Sequence, residues 1–172
     1  ESIGAAMTGM RPIADLQYGD FLFCCMDHMV NQAAKMCYMS GGRVNVPMVM
    51  RAPVGATGRG AQHAQSLEGF FTHVPGLKVI CPATAYDAKG LLKAAIRDPN
   101  PVVFLENEIL YGQHFDVPKL DNFVLPIGKA RIHRPGRDVT IVSFGIGMTY
   151  ATKAVAELEK IGYGPTARLD EA

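Results

Sequence analysis

The stretch 77–105 constrains the fold most, because it has the pattern of a strand, a helix and a second strand in direct succession. Apolar runs at 77–81 and 102–105 predict the two strands. Between them, Thr84 and Asp87 have the spacing of a capping box, which predicts the start of a helix. Two strands joined in this way pair in parallel through a right-handed crossover. The sequence therefore predicts an α/β fold built on a parallel sheet.

A further strand, predicted at 46–50, leads into a loop that contains Gly55, Gly58 and Gly60 and then reaches His63. Open parallel sheets bind ligands beyond the carboxyl ends of their strands, and glycine lets the backbone approach a ligand closely. Because imidazole titrates near neutral pH, His63 is a candidate proton donor or acceptor. The alternative is a surface loop whose histidine has no role, since the spacing fits no phosphate-binding loop.

The other elements are predicted from the same apolar periodicities. Phe70 and Phe71 are expected to pack inward from a short helix capped by Ser66. The stretch 106–137 contains three prolines and few periodic apolar residues, so it is expected to be an irregular linker. The remaining predicted elements are the end of a helix at 1–10, strands at 12–16, 139–144 and 166–169, and helices at 21–39, 66–72, 84–97 and 149–161, with the strand at 139–144 buried.

Composition restricts the function classes. The chain has 172 residues, of which 48% are hydrophobic and 19% are charged, with a formal net charge of +1. It can therefore bury a substantial core, and no basic stripe indicates a nucleic-acid partner. No apolar run is long enough to cross a membrane. The four cysteines (Cys24, Cys25, Cys37 and Cys81) include no CxxC pair, so we expect reduced core cysteines rather than a zinc site.

Two further pairs of residues are candidates for ligand binding. Gln17 and Phe21 follow the first predicted strand, and an aromatic ring there could stack on a flat heterocycle for about 0.5–1.5 kcal/mol beyond its buried area. Core packing of Phe21 with a solvated Gln17 is the alternative. Asp98 and Asn100 follow the helix predicted to end near 97, where their oxygens and nearby carbonyls could hold a hard cation. A simple turn is the alternative there.

Several short motifs, taken together, match one protein family. The chain resembles the beta subunits of the thiamine-diphosphate-dependent first components of 2-oxo acid dehydrogenase complexes, over nearly all of its length to about residue 162. The matching motifs are Gly4-Ala5-Ala6-Met7 with Arg11-Pro12, Asn31-Gln32-Ala33-Ala34-Lys35, Tyr38-Met39-Ser40-Gly41-Gly42, Gln62-His63, Pro75-Gly76-Leu77-Lys78-Val79, Asp87-Ala88-Lys89-Gly90-Leu91 and Leu105-Glu106-Asn107-Glu108.

The resemblance implies a fold and a division of the chain. It implies a transketolase-like pyrimidine-binding domain at 1–106, in which a parallel sheet has helices on both faces. A linker at 107–137 and the start of a transketolase C-terminal domain at 138–172 follow. Both domains are expected to be truncated, at the start and at the end of the chain.

The resemblance also implies an activity and site residues. The implied reaction is the oxidative decarboxylation of pyruvate with acetyl transfer to lipoyl. His63 matches the family's catalytic histidine, and Gln17 and Phe21 match positions that bind the aminopyrimidine of thiamine diphosphate. The family's potassium site, formed mostly by backbone carbonyls, matches Met48, Ala95, Ile96, Asp98 and Asn100.

The implied partners are other subunits of the complex. Thiamine diphosphate is shared with an alpha subunit, which also holds Mg²⁺, in an assembly of two alpha and two beta subunits. A lipoyl acyltransferase core is the further partner. The implied location is the cytoplasm of a bacterium or the mitochondrial matrix.

Some positions depart from the family pattern. The family's catalytic glutamate lies further upstream of Gly4 than Glu1 does, so its role is not assigned to Glu1, and the isolated chain is expected to be inactive. The stretch 105–129 resembles pyruvate enzymes, whereas 16–21 and 52–60 resemble branched-chain or acetoin enzymes. Two alternatives therefore stay open: a branched-chain 2-oxo acid or acetoin dehydrogenase beta subunit, and an inactive folded fragment that only binds its partner subunit.

Overall fold

A four-stranded parallel sheet organises the first part of the chain in the computed structural model, which describes residues 1–55 and 58–169. The strand order is β1-β2-β4-β3, and all three pairings are parallel. The parallel α/β fold predicted from the sequence is confirmed. The strands are β1 (Ile13–Asp15), β2 (Val49–Val54), β3 (Lys78–Ile80) and β4 (Val102–Asn107).

Strand β2 differs from its prediction at 46–50. The ladder begins at Val49 because Met48 N donates to Val46 O (2.9 Å) in a tight turn. It continues past Arg51 to Val54. A charged residue is tolerated there because Glu106 on β4 accepts two hydrogen bonds of 2.8 Å from the Arg51 guanidinium. The prediction that the strand ends at residue 50 was therefore wrong.

The sheet has apolar layers on both faces. Successive side chains of a strand point to opposite faces. On β4, Val103 and Leu105 belong to one buried cluster, and Val102 and Phe104 belong to another. The first cluster includes Leu22, Met29 and Phe71 from the helices on its side, and the second includes Leu91 and Ala95 of a helix on the other side.

The helical segments before β2 are less regular than predicted. After α1 (Ser2–Met7), the stretch predicted as one helix at 21–39 consists of a 3₁₀ helix (Gly19–Cys25), a π-helix (His28–Ala33) and α2 (Ala34–Met39). Cys24 on this stretch is exposed, so the expectation that all cysteines lie in the core was wrong. Cys81, by contrast, is buried.

The short helix α3 (Glu68–Thr72) buries only one of its two phenylalanines. Phe71 is fully buried, whereas Phe70 is 57% exposed and packs edge-on against Phe23 (5.1 Å between ring centroids). The expectation for Phe70 was wrong because consecutive residues of a helix point about 100° apart. The predicted Ser66 cap is also absent, since Leu67 precedes the helix without a side-chain cap.

Helix α4 (Ala85–Arg97) begins at the predicted capping box. Thr84 Oγ1 accepts from Asp87 N (3.2 Å) and donates to the Asp87 carboxylate (2.6 Å). The segment after β4 then runs along α4. Lys89 Nζ donates to Pro118 O (2.5 Å), and Leu125 N donates to Gly90 O (3.2 Å). The linker is therefore held on α4 by specific contacts.

A second, three-stranded sheet follows. Its order is β5-β7-β6, with β7 (Pro165–Leu169) antiparallel to β5 (Arg131–Arg134) and parallel to β6 (Val139–Ser143). Strand β5 lies within the stretch predicted to be irregular, as does a 3₁₀ helix (Glu108–Gly112). The prediction of a last strand near 166–169 is confirmed, while residues 170–172 lie outside the described part of the chain.

Helix α5 (Gly147–Lys160) joins this sheet to the first one. Met148 and Ala151 pack with Ala83 and Ile141, and Gly145 N donates to Cys81 O (3.3 Å). The strand predicted at 139–144 is confirmed as β6, but the prediction that it is buried was wrong, because the side of β6 that carries Val142 (53% exposed) faces solvent. Among the described residues, the helices are all too short or too polar to cross a membrane.

Candidate active site

A glycine loop leaves the carboxyl end of β2 and returns to the same point. Gly55 N donates to Gln65 O (3.0 Å), so the two ends of the loop are hydrogen-bonded to each other. Gly55 has a φ of +98°, and a Cβ at this position would overlap the side-chain amide of Asn107 at the end of β4. Only glycine fits both conditions. The loop is therefore closed beside the carboxyl ends of two central strands.

His63 lies on this loop between two aromatic rings. Its ring centroid is 5.2 Å from that of Phe21 and 5.5 Å from that of Tyr18, with interplanar angles of 82° and 80°. The imidazole is half-buried, and Phe21 is 40% exposed. The structure thus brings together two of the residues predicted for the site. An imidazole held in this way by edge contacts keeps a defined orientation and stays open to solvent on one side.

The third predicted residue, Gln17, lies at the margin of the same site. It is exposed and directly precedes Tyr18, after the end of β1. Within the described residues, its side chain makes no hydrogen bond. The amide is therefore free to bind a ligand that covers Phe21.

Several residues at the site were not predicted from the sequence. Asp20 is 7% exposed and accepts a hydrogen bond from Gln65 Nε2 (2.7 Å). Arg59 stacks on the Tyr18 ring (5.3 Å to its centroid), hydrogen-bonds the Tyr18 hydroxyl, and pairs with Glu108 (2.5 Å). A sequence signal did exist for Asp20 and Tyr18, because both lie close to the predicted site residue Phe21 along the chain. Burial of an aspartate has no periodic signature.

A partly buried charge network lies at the ends of β2 and β4, with Glu106 buried and Tyr111 exposed. The Tyr111 hydroxyl donates to Glu106 Oε2 (2.6 Å), which also accepts from Arg51 (2.8 Å). Burial, together with this hydrogen bond to a carboxylate, raises the pKa of Tyr111 above its ordinary value. The hydrogen bond to Glu106 raises the pKa of Arg51. Each of these polar groups has a hydrogen-bond partner within the network. Because Tyr111 lies on the 3₁₀ helix, the network fixes that helix to the sheet.

The predicted potassium residues lie around the C-terminus of α4. Met48 O already accepts from Val102 N (2.9 Å), and Ala95 O accepts from Asp98 N (3.2 Å). The side chain of Asp98 accepts from Asn100 N and Nδ2, at 2.9 Å each. The carbonyls at this end of the helix carry the negative end of its dipole, which attracts cations.

Arg11 supplies a positive charge to this cluster. Its Nη1 donates to Ile96 O (2.8 Å) and to Asp98 O (3.0 Å), and Lys78 Nζ lies 2.5 Å from Asp98 Oδ2. Burial opposes the charged form of Asp98, but Lys78 and Asn100 outweigh it and lower the pKa of Asp98. A potassium ion would have to share the two carbonyls with the guanidinium. The arrangement does not fit an ion held by these oxygens alone, and the potassium site stays a prediction.

Comparison with protein families agrees with this geometry. Residues 2–113 match the sequence model described as "Transketolase, pyrimidine binding domain", and residues 128–167 match "Transketolase, C-terminal domain". The chain belongs to the family of transketolase pyrimidine-binding domains. The first match covers β1 to β4 and the loop with His63, and the second covers β5, β6 and α5.

Curated relatives are similar over most of the chain. A pyruvate dehydrogenase E1 component subunit beta of Rhizobium meliloti is 65% identical over 161 residues, which cover 93% of this chain and 35% of the relative. The mitochondrial subunit of Caenorhabditis elegans is 54% identical, over 94% of this chain and 47% of the relative. A subunit of acetoin:2,6-dichlorophenolindophenol oxidoreductase from Cupriavidus necator is 52% identical, over 94% of this chain and 48% of the relative. The chain thus spans between about a third and half of the length of these relatives.

A solved structure shares the fold. It is described as "Split gene transketolase, inactive beta4 tetramer", with a TM-score of 0.77 and 22% identity. The superposition covers 98% of this chain and 52% of the other. This similarity supports the same arrangement of the sheet and helices in both proteins.

Proposed function

We propose that this chain is part of a beta subunit of a thiamine-diphosphate-dependent 2-oxo acid dehydrogenase, which oxidatively decarboxylates pyruvate and transfers the acetyl group to lipoyl. The observation that supports this most is the position of His63. Its imidazole is set against Phe21 and Tyr18 on a closed loop, at the edge of the sheet where parallel α/β folds bind ligands. The high identity to proteins named as pyruvate dehydrogenase beta subunits supports the same assignment.

The residues at this edge suit an aminopyrimidine ring. The exposed part of Phe21 offers an aromatic surface for stacking, and the free amide of Gln17 can hydrogen-bond a ring nitrogen or an amino group. When bound, thiamine diphosphate supplies the carbanion-stabilising chemistry. In this proposal Phe21 and Gln17 orient the pyrimidine. His63 donates a proton to the lipoyl sulfur that is released when the disulfide opens and the acyl group bonds to the other sulfur.

The proposed partners follow from the surface around the site. Phe21 and Phe23 are each 40% exposed and Phe70 is 57% exposed, so an apolar patch adjoins the loop. Such patches mark surfaces for protein partners. In the proposal, an alpha subunit that holds the diphosphate and Mg²⁺ covers this side, in an assembly of two alpha and two beta subunits. The acyl group passes to a lipoyl acyltransferase core.

The location is proposed from the relatives. They include bacterial and mitochondrial proteins. The bacterial cytoplasm or the mitochondrial matrix is therefore the proposed compartment.

The substrate is tested with the natural enzyme, assembled with its alpha subunit and supplied with thiamine diphosphate and Mg²⁺. Turnover is compared for pyruvate, 3-methyl-2-oxobutanoate and acetoin, since one relative is an acetoin oxidoreductase. We expect the highest kcat/KM for pyruvate. A preference for either of the other substrates would replace the proposed substrate, and an assembled enzyme without turnover on all three would support the inactive alternative.

A further inference from the structure

The segment Gly19-Asp20-Phe21 contacts the His63 loop at two neighbouring points. The Phe21 ring lies against the His63 ring (5.2 Å between centroids). The Asp20 carboxylate accepts a hydrogen bond of 2.7 Å from Gln65 Nε2. Phe21 and Asp20, which are adjacent in one segment, thus contact His63 and Gln65, which flank Ala64. A shift of either segment would change the position of the imidazole relative to Phe21.

Asp20 is an unusual residue to find buried. It is 7% exposed, and carboxylates are rarely buried unless they are paired with a charge or a metal. Its Oδ1 has Gln65 as a partner, whereas Oδ2 has no hydrogen-bond partner among the described residues. Gly19 packs directly against the Val54 side chain, where a Cβ would overlap it, so the segment lies close against the end of β2. A buried polar group with incomplete partners requires an explanation.

Gln65 is the residue at which the loop closes. Its carbonyl accepts from Gly55 N (3.0 Å), while its side chain donates to Asp20. The other limb of the loop is held by the ion pair between Arg59 and Glu108 (2.5 Å). Without Asp20, the limb that carries His63 would keep the backbone hydrogen bond to Gly55 and the ring contacts of His63, but it would lose its side-chain hydrogen bond at this junction. The carboxylate therefore connects the Phe21 segment to the His63 segment.

We propose that Asp20 is a positioning residue, which acts through Gln65 to hold the His63 imidazole against Phe21 in the geometry needed for acyl transfer to lipoyl. This inference rests on the proposed function, because acyl transfer is the step assigned to His63. Misplacing a catalytic group by about 1 Å costs on the order of 10²-fold in rate. Asp20 touches neither substrate nor cofactor in this proposal.

The test uses the natural enzyme assembled with its alpha subunit. Asp20→Ala removes the acceptor, and Asp20→Asn keeps an oxygen for Gln65. Asp27→Ala is the matched control, because Asp27 is exposed and also accepts one side-chain hydrogen bond, from Asn31 (2.7 Å). Each variant is assayed with pyruvate in two reactions, with a dye as electron acceptor and with lipoyl as acyl acceptor. Only the second reaction requires acyl transfer to lipoyl.

For Asp20→Ala we expect lipoyl-coupled kcat to fall on the order of 10²-fold, with a loss in the dye reaction about tenfold smaller. We expect Asp20→Asn to recover most of the lipoyl-coupled rate and Asp27→Ala to match the unmodified enzyme. Equal losses in both reactions, or no recovery with asparagine, would overturn the positioning role. Should Asp20→Ala not fold, Gln65→Met removes the same hydrogen bond from the exposed loop side and takes its place.

A second readout does not depend on catalysis. Trypsin can cut after Arg59 when the loop opens, and mass spectrometry of the fragments gives the rate. We expect faster cleavage in Asp20→Ala than in Asp20→Asn or Asp27→Ala. An unchanged cleavage rate would overturn the inference even if the enzyme acts on pyruvate. Faster cleavage in an enzyme that is inactive on pyruvate would keep the role of Asp20 in holding the loop, and the proposed function alone would fail.

Discussion

Replacing Gly55 with alanine tests whether the loop depends on a close contact at its start. A side chain at a φ of +98° costs about 1–2 kcal/mol, and overlap with the Asn107 amide adds about 1–3 kcal/mol. The total is about 2–5 kcal/mol. For a chain of 172 residues, about 1 kcal/mol shifts Tm by about 2–4 °C. We therefore expect Gly55→Ala to lower Tm by about 4–20 °C.

Gly60→Ala is the matched control for this experiment. Gly60 has a similar φ (+87°), but a Cβ there would meet no atom within 4 Å. Gly60→Ala should carry only the cost of the unfavourable φ, which lowers Tm by about 2–8 °C. The assay is thermal unfolding followed by circular dichroism for both variants and for Gly55→Ala combined with Asn107→Ala, which removes the overlapping amide. Equal Tm losses for Gly55→Ala and Gly60→Ala would refute the argument from the Asn107 contact.

Three further predictions concern the core and the end of α4. Phe71→Ala should cost about 3–5 kcal/mol of unfolding free energy, whereas Phe70→Ala should cost less than about 1.5 kcal/mol, because only Phe71 is fully buried; urea unfolding measures both, and similar losses would contradict the burial. Arg11→Gln frees two carbonyls, so the Tm of this variant should rise when KCl replaces choline chloride. An equal rise in the Tm of the unmodified protein would show that Arg11 does not compete with potassium for these carbonyls. The Tm difference between the unmodified protein and Asp98→Asn should be constant above about pH 5 and shrink below about pH 4. The lowered pKa means that the Asp98 carboxylate stabilises the fold above its unfolded pKa and that this contribution is lost as pH falls through the folded pKa, so a difference that grows on acidification would contradict the sign.

The parts of the fold that were predicted correctly depend on local signals. The capping box of α4 and the apolar runs of β3 and β4 lie within one short stretch, and the structure shows the predicted hydrogen bonds and parallel pairing. The glycine loop with His63 also follows directly from a strand in the sequence. Such features need no knowledge of distant residues. This explains why the parallel sheet and the position of His63 could be predicted.

The features that were missed depend on contacts between distant parts of the chain. Arg51 continues β2 because it pairs with Glu106. This partner lies 55 positions away, and apolar periodicity gives no sign of the pair. The burial of Asp20 likewise depends on Gln65, 45 positions away. The exposure of Val142 depends on what covers the second sheet, which the pattern of β6 alone does not determine. Periodicity thus identifies elements but not the compensation of charge or the covering of faces.

In the proposed function, His63 serves acyl transfer in the natural enzyme. The most direct test compares His63→Ala with His73→Ala in lipoyl-coupled turnover of pyruvate, with the alpha subunit and thiamine diphosphate present. His73 is exposed at the end of α3, so its loss controls for the removal of a histidine. We expect His63→Ala to lower turnover by about 10²- to 10⁴-fold and His73→Ala to leave it unchanged. Unchanged lipoyl-coupled turnover in His63→Ala would contradict the role assigned to this residue.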